Sequence, residues 1–199
     1  MRVRARTSVR AAWHSDEENM MKALYLMLCL LAAPVLAAQA PNNANEQQIK
    51  QQLNNYLWDA ARTGENSVIK NFIAAKYNLN EQDEHGYTAV ILAAYHGHLT
   101  TVETLLNAGA DPCLRDNHGN SALMGAIFKG EIKIARRLIA AKCSPDMRNN
   151  AGQTAAMYAA LFQRHALLEQ LKAKGADMHA TDVNGNNVAA LERGEINGK

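Results

Sequence analysis

The sequence predicts an all-α solenoid of stacked helix pairs with short hairpin loops, and two observations carry that prediction. The first is a fixed period of 33 residues: Gly86 returns as Gly119 and Gly152, Ala93 as Ala126 and Ala159, Leu105 as Leu138 and Leu171. Backwards, Ala93 lands on Ala60 and Gly97 on Gly64; forwards, Gly152 lands on Gly185. The second is the content of one period, which spells two short helices with a turn between them and a glycine stop after them. Four copies and a fragment at one spacing are the signature of an array whose units bury their apolar faces on one another.

The clearest copy covers residues 83–115. It predicts a hairpin tip at 83–86, a helix over 88–95, a turn at Gly97, a second helix over 100–107, and a stop at Gly109-Ala110-Asp111. This unit resembles an ankyrin repeat, matching that pattern at Gly86, Thr88, Ala93, Ala94, Gly97, His98, Leu105, Leu106, Gly109, Ala110 and Asp111. The resemblance covers roughly residues 50–195. It implies an ankyrin-repeat solenoid with repeats at 50–82, 83–115, 116–148 and 149–181 and a partial cap at 182–199.

Each element follows from its residues. Repeat 1 has no preceding neighbour and serves as the N-terminal cap. It turns Gln47, Gln48, Gln51, Gln52, Asn54 and Asn55 to solvent and anchors itself through Leu57, Ala60, Ala61, Val68, Phe72 and Ile73. In the three full repeats the proline of the first helical turn is replaced by Ala89, Ala122 and Ala155. The histidine expected to support the N-terminal Thr becomes Ile91, Met124 and Met157, with Trp58 at the same place in repeat 1. Thr88, Ser121 and Thr154 are still placed to cap their helices. Gly109 and Gly175 suit a left-handed helix stop; Lys76 and Lys142 hold the same place without that freedom. Residues 182–199 hold Ala189-Ala190-Leu191 and then turn polar, as a truncated C-terminal cap.

Apolar residues make up 48% of the chain and charged residues 20%, values of a globular protein rather than a disordered one. The formal charge of +2 gives no electrostatic footprint for nucleic acid or an anionic membrane. Residues 20–37 read as a secretory signal peptide: Lys22, then an apolar run from Ala23 to Leu36, then the small-residue site Val35-Leu36-Ala37. The run is shorter than the ~20 residues of a membrane-spanning helix, so export to the periplasm or beyond is expected, with no membrane association after cleavage. Residues 1–19 are either a mis-assigned start, with translation from Met20 or Met21, or a disordered extension; residues 38–49 are a linker. Export permits a disulfide between Cys113 and Cys143. Packed helices stand ~8–10 Å apart, beyond the ~7 Å Cα limit of a bridge, so two free thiols are expected.

No H-E-x-x-H, P-loop or G-x-S-x-G motif occurs, and the carboxylates are scattered rather than paired, so no enzyme, metal or cofactor is predicted. His85 and His118 fall on equivalent tips one repeat apart, too far to share a metal, and His96 and His98 diverge. Lys129, Lys133, Arg136 and Arg137, interrupted by Glu131, read as a solvated basic face, with an acidic partner as the alternative. The resemblance implies binding of another protein by the hairpin tips and the exposed side of each first helix. Carried over by position, those residues are Glu84, His85, Tyr87, Tyr95 and His96 in repeat 2, and Asn117, His118, Asn120, Phe128 and Lys129 in repeat 3. Repeat 4 adds Asn150, Gln153, Leu161 and Phe162. Tyr95, Phe128, Leu161 and Phe162 are expected to form an aromatic–apolar ladder on a concave face. The expected protein is a monomer that binds a protein partner. The sequence resembles exported bacterial ankyrin-repeat proteins, and that resemblance implies support of a periplasmic enzyme, such as a catalase in oxidative-stress defence; the alternative is an immunity or inhibitor protein acting on a periplasm-targeted toxin enzyme.

Overall fold

The computed structural model describes residues 43–198, so the segment expected to be a signal peptide, the extension before it and Cys29 lie outside the described residues. The described helices are α1 (Asn43–Thr63), α2 (Asn66–Ala74), α3 (Ala89–Tyr95), α4 (Leu99–Asn107), α5 (Ala122–Lys129), α6 (Ile132–Ile139), α7 (Ala155–Leu161), α8 (His165–Ala173) and α9 (Val188–Glu192). First helices pack on first helices (α3, α5, α7, α9) and second helices on second helices (α2, α4, α6, α8), which is the stacked-pair order the period requires. The helix boundaries of repeat 2 fall within a residue of those read from sequence.

Small residues make the close stacking possible. Ala93, Ala94, Ala126, Ala159 and Ala160 are fully buried between first helices, while Leu105, Leu138 and Leu171 fill the layer beneath. Each first helix is capped as expected: Thr88 Oγ1 accepts from Ile91 N at 3.2 Å, Ser121 Oγ from Met124 N at 3.4 Å, and Thr154 Oγ1 from Met157 N at 3.3 Å. Asn187 does the same for α9, accepting from Ala190 N at 2.9 Å.

The hairpins are tied to one another at the same 33-residue step. Asn117 N donates to His85 O at 2.9 Å and Asn150 N to His118 O at 2.9 Å, while the Asn117 and Asn150 carboxamides donate to Glu84 O and Asn117 O. A Cβ on Gly86 would stand 2.7 Å from Asn117 N, so the tip glycine is fixed by this close approach as well as by its φ of +79°.

Several expectations need correction. α1 begins at Asn43, inside the stretch read as linker. Asn54 is buried rather than solvent-facing, and its Oδ1 accepts from Tyr77 Oη at 2.6 Å. Lys76 is left-handed with φ 54°, but Lys142 is not among the positive-φ residues; Gln163 is, at φ 57°, on the place of Gly97 and Gly130. Repeat 3 therefore leaves its second helix by a different turn. Lys174 of the next repeat satisfies it, donating from Nζ to the carbonyls of Ile139 and Ala141.

That different turn is where the cysteines meet. Cys113 and Cys143 form a disulfide with a Cα separation of 5.5 Å, which overturns the expectation of free thiols. The helix spacing of ~8–10 Å applies to equivalent positions of packed helices. These cysteines are offset by three positions and lie beyond the helix ends, where the connecting arms of repeats 2 and 3 approach more closely than the helices do.

The C-terminal cap closes on a buried polar pair. Asp182 Oδ1 accepts from the amides of Asn184 and Asn186, and Asp182 Oδ2 from the Asn186 side chain, each at 2.9 Å. Burial pushes this carboxyl up, but the Asn186 side chain and the backbone amides of Asn186, Asn184 and Gly185 outweigh it and hold it below the ordinary carboxylate range. A depressed folded-state value means the contribution is present above the unfolded value of ~3.9 and is lost as pH falls through the folded one. Amide protection across α9 is expected to fall in acid before that of α5, and Asp182→Asn to flatten the dependence.

Candidate interaction surface

The first helices present one face along the stack, and the rings on it meet. Tyr95 and Phe128 lie parallel, with centroids 6.3 Å apart and planes 12° off. Phe162 stands edge-on to Phe128 at 5.3 Å, and Tyr158 tilts against Phe162 at 6.1 Å. Tyr95 is 39% exposed and Phe128 47%, so neither ring is consumed by the core. Leu161, the third rung by strict register, is half-buried against the core, and Phe162 takes the outer place. The Lys129 ammonium lies 5.0 Å from the Tyr95 ring centroid, a cation held on an aromatic face.

Between this ladder and the hairpin tips runs a groove of about 410 Å³. It gathers seven of the residues singled out from sequence: His85, Tyr87, Tyr95, His96, His118, Asn120 and Phe128. Glu84 lies outside it, beside a second hollow against α1. Lys129 forms its rim through Tyr95. Asn117 and Asn150 are exposed but spend their side-chain N–H groups on the preceding tip. Gln153 accepts from Asn149 Nδ2 at 3.0 Å in a polar layer below the rings.

Sequence reasoning missed Arg62, Asp83, Asp116, Met124, Gly125 and Tyr158 on the groove wall. Three of the groove residues, Leu92, Gly125 and Tyr158, occupy one column of the repeat, 33 residues apart. The signal that could have found it is the missing side chain in the middle of that column. Gly125 has no positive φ, and a Cβ there would meet only Tyr95 Cδ2, at an ordinary 3.7 Å. Neither backbone nor packing requires glycine, and glycine inside a helix costs about 1 kcal/mol against alanine. Gly125→Ala is therefore expected to raise stability by up to about 1 kcal/mol in a denaturant titration.

The groove's polar groups are well held. Asp83 Oδ1 accepts from the amides of His85 and Tyr87 at 2.9 and 2.8 Å, and Asp116 Oδ1 from those of His118 and Asn120 at 2.9 and 2.8 Å. Tyr158 Oη donates to Asn120 Oδ1 at 3.2 Å and accepts from Asn149 Nδ2 at 3.3 Å. Burial first, and then Asp116 and Asp83, push the Tyr87 phenol up. Burial, with Arg62, His98 and Lys129 nearby, pushes His96 down toward its neutral form. His98 turns away from the groove and bonds Arg62 O at 2.9 Å, closing the repeat 1–2 seam over Gly64. Among the described residues no group of three or more His, Cys, Asp or Glu is placed to hold a metal ion, and no helix is long and apolar enough to cross a membrane.

The chain matches curated proteins over short stretches. It is 42% identical to Ankyrin repeat and SAM domain-containing protein 6 of Rattus norvegicus over 57 residues, 28% of this chain and 6% of that protein. The Mus musculus protein of the same name is 40% identical over 57 residues, with the same coverage. Ankyrin repeat domain-containing protein SAT10 of Stachybotrys chartarum is 39% identical over 54 residues, 27% of this chain and 3% of that protein. The chain thus spans less than a tenth of the length of these relatives. The family model described as ankyrin repeats in three copies matches residues 10–116, 57–149 and 115–182. Such repeats generally bind other proteins and typically carry no catalysis of their own. With the same 33-residue step in helices, hairpins and caps, the chain belongs to the ankyrin-repeat family.

Proposed function

We propose that this chain is an exported, non-catalytic module that binds another protein, as a monomer in the periplasm, through the face made by its first helices and hairpin tips. The observation that carries the reading is the exposed pair Tyr95–Phe128, with the half-buried Phe162 edge-on beside it, above a groove. Large aromatic side chains on a preorganised surface supply most of the free energy at protein interfaces, and a rigid array does not have to order itself on binding. The Cys113–Cys143 disulfide supports an oxidising compartment, since such bonds persist outside the cytosol and are rare within it. It therefore agrees with the signal-like segment at residues 20–37.

The partner we propose is a periplasmic enzyme that this protein supports in oxidative-stress defence, by analogy with the exported bacterial ankyrin proteins that the sequence resembles. The test is capture from a periplasmic extract with the wild type and the Tyr95→Ala/Phe128→Ala double variant, followed by assay of the captured protein with and without the chain. Two ring deletions at an interface centre are each expected to cost ~2 kcal/mol or more, so the double variant should recover almost nothing. A captured enzyme whose activity rises with the bound chain supports the reading. One whose activity falls identifies an immunity or inhibitor protein instead. Equal capture by both forms would remove this face from the account.

A further inference from the structure

The column Leu92–Gly125–Tyr158 leaves a side-chain-sized hollow in the middle of the groove, and the surroundings of that hollow are specific. Apolar and aromatic groups wall it: Leu92, Met124, Tyr95, Phe128 and Tyr158. Two carboxylates, Asp83 and Asp116, line the same groove at its hairpin end. Among the described residues neither carboxylate lies within ion-pair distance of a cationic side chain. The nearby cations are already engaged or neutralised: Arg62, which also lines the hollow beside Asp83, pairs with Asp59, and His96 is pushed toward its neutral form. Lys129 on the Tyr95 ring shows that the aromatic wall of this groove accommodates a cationic head.

Resting on the reading of this face as a protein-binding surface, we infer that the hollow over Gly125 receives a lysine or arginine side chain presented by an extended segment of the partner. The aliphatic stem lies on Leu92 and Gly125 between the rings, and the cationic head reaches toward Asp83 and Asp116. Long basic side chains have that dual character, an apolar stem with a charged end. An aspartate or glutamate of the partner would meet two like charges at the hairpin end, and a leucine would bring no counter-charge to carboxylates held by neutral amides.

The carboxylates can be neutralised without disturbing the turns they cap. Repeat 4 carries Asn149 at the same position, and its Oδ1 accepts from Ala151 N at 3.0 Å and Gln153 N at 2.9 Å, as Asp83 and Asp116 do in theirs. The probes are capped tripeptides Ac-Gly-Xaa-Gly-NH₂ with Xaa lysine, arginine, norleucine or glutamate, titrated into the intact exported chain and followed by the amide NMR signals of Gly125 and Tyr95. Lysine and arginine peptides are expected to give saturable shifts, with norleucine, which shares the stem without the charge, about tenfold weaker. Asp83→Asn/Asp116→Asn should remove the preference for lysine over norleucine. Gly125→Leu, which places in repeat 3 the residue found at Leu92, should abolish binding of the lysine, arginine and norleucine peptides while leaving the circular dichroism spectrum intact and the melting temperature no lower. Norleucine binding as well as lysine, or the double Asn variant keeping its lysine preference, overturns the cationic occupant. If that happens while Tyr95→Ala/Phe128→Ala still loses the captured partner, the face stands and only its occupant is wrong. Full capture of the partner by Gly125→Leu would remove the groove itself from the interface.

Discussion

Removing the bond between Cys113 and Cys143, by reduction or by Cys113→Ser/Cys143→Ser, is expected to lower stability by roughly 3–4 kcal/mol. The bond spans 30 residues of sequence, and a cross-link of that length takes about this much conformational freedom from the unfolded chain. For a domain of this size the melting temperature should drop by about 10 °C. The loss should also be local. In a stacked array each repeat is held by its neighbours, so the seam between repeats 2 and 3 loosens first. That seam is the one the groove crosses. Met124 borders both the groove and a small cavity beside Cys143, so its methyl signal should broaden on reduction. Hydrogen exchange is expected to accelerate in α3 to α6 more than in α8. A melting curve unmoved by reductant, with the thiols shown to be free, would mean that the bond does not constrain the array.

What the sequence could and could not reveal divides along a physical line. The period, the caps at Thr88, Ser121 and Thr154, and the left-handed stops at Gly109 and Gly175 are local events, each set by a few neighbouring residues. They were readable. The stacking of Tyr95 on Phe128 was readable too, because equivalent positions of a regular array must face one another. What failed was irregular. Repeat 3 ends its second helix without a left-handed residue at Lys142, and a lysine from the next repeat covers the open carbonyls. A distance argument built on regular helix spacing therefore placed Cys113 and Cys143 too far apart. Asn54 was read as solvent-facing because polar residues surround it, while its partner Tyr77 lies 23 residues away. Gly125 was overlooked for a different reason: an absent side chain leaves no apolar pattern, and its effect is a space, visible only when Leu92 and Tyr158 stand on either side.

Leu105→Ala is expected to destabilise by about 4–5 kcal/mol and Leu171→Ala by nearer 2–3 kcal/mol, although both residues are fully buried. The cost of such a deletion is the transfer of the removed atoms plus the cavity that remains, so it depends on how freely the site can collapse. Leu105 lies in α4, clamped between α2 and α6 on either side as well as beneath α3. Leu171 lies in α8, which packs on α6 and under α7; α9 stacks on α7, the other layer, and among the described residues no second helix packs on the far side of α8. The open flank lets α8 settle into the vacated space. Leu105→Met at the same site, which conserves volume, should cost under about 1.5 kcal/mol and separates cavity formation from any special need for leucine. Urea titrations of the three variants measure the differences directly, with the transition slope reporting whether repeats begin to melt separately. If Leu171→Ala proved as costly as Leu105→Ala, the stability of this array would not be set by neighbours pair by pair, and the local behaviour expected of the disulfide would fail with it.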